Sequence, residues 1–191
     1  MIIEMHADIF RWFAAVAFLG YWSTVTFLLA HWPRNRSKSL SDHIATGKKQ
    51  INLLLIVVTI ETSLYALYFY NWFIPTFGMS AIFTCLITIA LITHLATFVF
   101  PSTQGRVKRT HWLVSYITAL LFIPSALLLI AQSNIPLAGR SAVVAALITM
   151  VGISLGLYAT SLFRRHILIV HCTYIFSLQL AVVFISFLEV S

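Results

Sequence analysis

Six apolar runs, each near the roughly 20 residues a helix needs to cross a bilayer, leave this chain few ways to fold. They extend from Asp8 to Trp32, Gln50 to Phe73, Phe77 to Phe100, Trp112 to Ala131, Ser141 to Phe163 and Ile167 to Leu188. In hydrocarbon, backbone N–H and C=O groups must be satisfied without water, and a helix does this within its own segment. The predicted fold class is therefore all-α: a polytopic membrane protein with six transmembrane helices in one bundle, filling residues 1–191 as a single domain. Charged residues make up only 9% of the chain, against about 25% in soluble domains.

The connections decide orientation. Arg34, Arg36, Lys38, Lys48 and Lys49 follow the first run, Arg106, Lys108 and Arg109 follow the third, and Arg164 and Arg165 follow the fifth. The even-numbered connections hold only Arg140. The positive-inside rule then predicts cytoplasmic odd-numbered loops and both termini outside, in a multi-pass protein of a plasma (inner) membrane. This placement accounts for the net charge of +7 without a nucleic-acid groove, so no nucleic-acid partner is expected. The start, MIIEMHADIFRW, lacks the basic region and small-residue cleavage site of a signal peptide, so the first span is expected to be retained. Trp12, Trp32, Trp72 and Trp112 fall near span ends, where indole rings favour the interface. Pro75 is expected in a turn at Ile74-Pro75-Thr76, and Pro124 inside the fourth span is expected to kink it. Cys85 and Cys172 lie in apolar runs without C-x-x-C spacing and read as buried small hydrophobes.

The long first connection has room for a short surface helix at Ser41-Asp42-His43, capped by Ser39 or Ser41. Its basic residues either touch anionic headgroups or only fix topology. At the N-terminus, Asp8 and Arg11 have the spacing of a solvated helical pair, beside Glu4 and His6.

One carboxylate, Glu61, falls in the middle of an apolar run. An unpaired charge there costs about 3 kcal/mol or more, so intramembrane acids are functional candidates by default. Helical spacing puts Leu54, Val57, Val58, Leu64, Tyr65 and Tyr68 on its face. No Lys or Arg lies at its depth, which leaves Tyr65, Tyr68, Tyr174, Gln179, water or a bound cation as partners. A neutral, hydrogen-bonded carboxyl that exchanges a proton is the sharpest expectation, with simple packing as its rival.

His94 and His171 form a second set, some seven and five residues inside the same end of their spans. At about 1.5 Å per residue both lie ~8–10 Å deep. Two histidines at one depth could ligate a haem iron, with Arg106, Lys108, Arg164 and Arg165 near enough for propionates. They could equally hold a metal or serve a proton path with His31, His111 and His166, or be hydrogen-bonded structural residues. In the fifth span, Gly152-x-x-x-Gly156 continues into Thr149 and Thr160, a small-residue face suited to close helix packing. Packing within one copy is the favoured reading; a homo-oligomer or a larger membrane complex is the other.

The chain has no H-E-x-x-H, G-x-S-x-G or Walker A motif, and no lysine in a span for a retinal Schiff base. A non-enzymatic binding or transport role, proton- or cation-linked and centred on Glu61, is the leading expectation. A single-haem electron carrier using His94 and His171, and an accessory subunit docking through the glycine face, are the alternatives.

Two short patches, Ser39-Leu40-Ser41-Asp42 and His111 with Trp112-Leu113-Val114-Ser115-Tyr116, resemble the six-helix membrane family of damage-regulated autophagy modulators and their small prokaryotic relatives. That resemblance covers the span arrangement and these patches, and it implies fold rather than a particular chemistry.

Overall fold

Apolar runs of this length do become helices, but their limits move where glycine, proline and threonine punctuate the chain. The computed structural model describes residues 2–31, 39–45, 47–102 and 105–188, with the backbone alone at 2–8, 43, 44 and 164. Its helices are α1 (Ile2–His31), α2 (Leu40–Ile44), α3 (Lys48–Tyr68), α4 (Ile74–Phe77), α5 (Ala81–Val99), α6 (Gly105–Ala131), α7 (Leu137–Ala159), α8 (Ser161–Arg165) and α9 (Ile167–Ser186). Among the described residues there is no strand. Six helices are long and apolar enough to cross a membrane: the chain from Ile9 to His31, Lys48 to Phe77, α5, α6, α7 and α9.

The second span continues past its expected end. A π-helical turn, Phe69–Phe73, links α3 to α4, and Ile74 N–H bonds to Phe69 C=O. The wider turn lets the helix run on through Pro75, which has no N–H to give and sits in the first turn of α4. The reversal expected at Pro75 comes instead at Gly78, whose φ of 60° is the left-handed conformation that glycine adopts without strain. Trp72 is not exposed on the outer surface. It is buried between Tyr68 and Phe77, with centroids 5.6 and 5.7 Å away. At the other end of α7, extended backbone at Thr160 stops the helix, and its hydroxyl accepts from Phe163 N–H to start α8. Pro124 lies within an unbroken α6.

Each long helix packs on its neighbours in the chain, and α1 also packs on α9, so the six close into a ring. The start of α1 and the end of α9 meet where the Trp12 and Phe187 rings stand 4.8 Å apart. Inside are two apolar cores. One, rich in aromatics, gathers Tyr65, Tyr68, Phe69, Phe73, Phe77 and Phe83 with residues of α6, α7 and α9. The other holds Tyr21, Val25, Leu28, Leu40, Leu54, Val58 and Leu168. The outer surface is apolar as well: Val16, Leu19, Ile56, Ile60, Ile92, Leu120, Ile148 and Leu155 are exposed. Such an exterior suits contact with lipid, because it would be unfavourable in water.

Cys85 is exposed and Cys172 half-buried, and neither forms a disulfide. Gly156 lies against the Phe163 ring, where an added Cβ would stand 2.5 Å from Cε1; a Cβ on Gly152 would meet nothing within 4 Å. The glycine face thus serves a close contact inside the chain at one of its two positions. Trp32, Arg34, Arg36, Lys38 and the side chains of Glu4, His6 and Asp8, with the expected Asp8–Arg11 pair, lie outside the described residues.

Candidate functional site

Between the two cores, four helices each direct one polar side chain inward. Glu61 on α3 is 2% exposed. Its Oε1 accepts from Gln179 Nε2 of α9 at 2.8 Å, and its Oε2 lies 3.2 Å from His94 Nε2 of α5. Trp22 Nε1 of α1 donates to Gln179 Oε1 at 2.8 Å. The indole fixes which way the Gln179 amide faces: with its oxygen committed to Trp22, its NH2 must point at the carboxylate. The chain Trp22–Gln179–Glu61–His94 therefore runs across the ring interior and ties four of its six helices together.

Two hydroxyls border this chain. Tyr21 is fully buried and Tyr65 is 6% exposed, and both lie within electrostatic reach of Glu61 and of each other. Neither hydroxyl has a hydrogen-bond partner among the described residues, nor does Thr62 Oγ1, next to Glu61 in sequence. Buried hydroxyls nearly always have partners, so this group can receive a small polar species beside the carboxylate. Among the described residues, no three His, Cys, Asp or Glu side chains are grouped to hold a metal ion.

The residues expected from sequence separate into three places. Glu61, Tyr65, Gln179 and His94 come together. Tyr68 instead accepts from Ser186 Oγ at 2.8 Å, in the aromatic core. Tyr174 donates to the Ala119 carbonyl at 2.9 Å, bracing α9 against α6. His171 is half-buried, with His111 and Asp42 as its electrostatic neighbours. The haem alternative required His94 and His171 to face one another. His94 turns its Nε2, an atom an iron would need, toward Glu61 instead. Gly152 and Gly156 belong to α7, outside this polar chain.

A second polar cluster joins two connections at one end of the ring. Ser39 caps α2: its hydroxyl accepts from Asp42 N–H at 3.2 Å and donates to Asp42 Oδ2 at 2.8 Å. Ser102 Oγ donates to Asp42 Oδ1 at 2.7 Å, and Lys108 Nζ lies 3.8 Å from the same oxygen. Partial burial works against ionisation of Asp42, but the bonds from Ser102 and Ser39 and the Lys108 charge outweigh it, so the carboxyl titrates below its ordinary range. Close by, buried His111 donates from Nδ1 to the Thr97 and Phe100 carbonyls, each at 2.8 Å, closing the end of α5.

Sequence reasoning missed Trp22, Tyr21 and the pairing of His94 with Glu61. Counting residues from span ends set His94 and Glu61 at different depths, yet two side chains reaching toward each other bridge about one helical turn. Compared with protein-family models, curated proteins and solved structures, the chain matches none.

Proposed function

We propose that this is a multi-pass membrane protein with a non-catalytic binding or transport role, linked to protons or small cations, and that Glu61 and His94 are its exchangeable pair. The observation that carries this reading is the 3.2 Å contact between His94 Nε2 and Glu61 Oε2 inside an apolar ring. A carboxylate and an imidazole that share one proton carry no net charge, and loss of that proton leaves one negative charge. The second state is costly in hydrocarbon. Release of the proton is therefore coupled to arrival of a cation, or to a rearrangement that admits water. The Tyr21 and Tyr65 hydroxyls supply hard oxygen donors beside the carboxylate for such a cation. Gln179 and Trp22 hold the carboxylate in place through either state.

The membrane orientation we favour keeps the basic connections, and the Asp42 cluster with them, on the cytoplasmic side. The test is a proteoliposome assay in which an imposed pH gradient drives, or is dissipated by, Na+ or K+. Glu61→Gln and His94→Gln should each abolish the coupled flux, while a Tyr68→Phe control keeps it. Flux that persists in Glu61→Gln would overturn the reading.

A further inference from the structure

At the end of the ring opposite the Asp42 cluster, α6 and α7 part to leave a cavity of about 270 Å³ lined by Ile130, Leu137, Arg140, Ser141 and Val144. We propose that this wedge binds one anionic phospholipid, with the phosphate on Arg140 and Ser141 and the first acyl methylenes against Val144.

Four of the five lining residues repeat at 137, 140, 141 and 144, which is one face of α7. That face is mixed in a way that packing alone does not require. Leu137 is 71% exposed and Val144 38% exposed on the outer apolar surface, so the wedge opens toward lipid. Arg140 is half-buried against it, and its Nε is inaccessible to solvent and without a hydrogen-bond partner among the described residues. A guanidinium that stays charged at every physiological pH needs an anion or several acceptors when drawn partly out of water. Phosphate fits its planar fork with two parallel bonds, and the exposed Ser141 hydroxyl one turn edge away can donate a third.

Position supports a lipid source. Arg140 lies in the first turn of a span, where headgroups sit, and Val144 lies one turn further into the helix, while Leu137 and Ile130 stand at the helix ends beside it. The volume is just below the usual range for ligand pockets, enough for a headgroup phosphate and the adjoining methylenes. Arg140 is the sole basic residue in the even-numbered connections, so its charge is not part of the asymmetry that fixes orientation.

The experiment is native mass spectrometry of the full chain released from micelles containing phosphatidylglycerol or phosphatidylcholine. One phosphatidylglycerol adduct should persist, favoured over phosphatidylcholine on the order of tenfold. Arg140→Gln should remove that preference and Arg140→Lys should keep part of it. Val144→Trp, which fills the wedge while leaving the charge, should displace the lipid; a thermal melt shows that each variant is folded. Equal adducts of both lipids, an adduct unchanged in Arg140→Gln, or inorganic phosphate giving the same thermal shift as phosphatidylglycerol would each overturn the proposal.

Discussion

Gln179 stands between Trp22 and Glu61 as a relay of orientation: its oxygen takes the indole N–H at 2.8 Å, and its amide therefore presents a donor to the carboxylate, also at 2.8 Å. A side chain that could face either way is fixed by a residue on a third helix. Replacing Trp22 by Phe should free the amide to turn, costing about 0.5–1.5 kcal/mol of stability for the lost bond. The more specific effect is on coupling. Trp22→Phe should shift the pH dependence of flux while leaving its maximum within a few fold, measured by the same vesicle assay.

Glu61 and His94 should behave as a unit. Glu61→Gln preserves shape and both contacts and removes a buried charge, so it should be neutral or slightly stabilising. His94→Ala leaves the carboxylate short of a partner and should cost about 3–5 kcal/mol. Combined with Glu61→Gln, the same change should cost far less, and the cycle's coupling energy, read from melts in detergent, should exceed about 1 kcal/mol.

The tyrosines separate ligand contact from packing. Tyr68→Phe removes one of two partners of Ser186, whose hydroxyl also bonds the Val182 carbonyl, and should lower stability by about 1 kcal/mol. Tyr21→Phe and Tyr65→Phe remove hydroxyls without partners among the described residues, so they should leave stability unchanged or raised. If those hydroxyls meet a transported cation, both variants should still raise the concentration needed for half-maximal flux.

Asp42 makes the joined connections sensitive to acid. Its folded carboxyl titrates below the unfolded value of about 3.9. Its stabilising contribution is therefore complete above that value and disappears as pH falls through the lower, folded one. Asp42→Asn should lower the melting temperature at pH 6 and flatten its fall below about pH 4, as measured by thermal scans across pH 3–6.

The two glycines of α7 should differ sharply. Gly156→Ala drives a methyl into the Phe163 ring and should cost about 1–3 kcal/mol. Gly152→Ala meets open space and should gain slightly from helix propensity. A loss at Gly152 without loss of monomer stability would instead reveal a partner on that face.

Much of the fold was legible because hydropathy and length alone define the helices. Glu61 was legible because a carboxylate is conspicuous among leucines, and Gln179 was one of several candidate partners at a similar depth. The pairing of His94 with Glu61 was not, because the ring reaches along the bundle and depth counting ignores side-chain length. Trp22 was lost among five tryptophans, and only its N–H distinguishes it. Ser39 was legible as a cap beside Asp42, but Ser102 and Lys108 join the Asp42 cluster from 60 or more residues away in the chain and are unremarkable singly. Pro75 misled for a different reason: a π-turn relieved the constraint that proline usually imposes.

The polar layer at Glu61 has a consequence for how the bundle breathes. Amides at the centre of a span ordinarily exchange with solvent more slowly than those near its ends. Here the centre lies at the seam between two apolar cores, and the backbone around 58–65 of α3 and 176–182 of α9 carries the hydrogen-bonded Glu61 and Gln179. Deuterium uptake should therefore rise in mid-helix and fall on both sides. Each core would then open as its own cooperative unit, with Glu61 at the boundary.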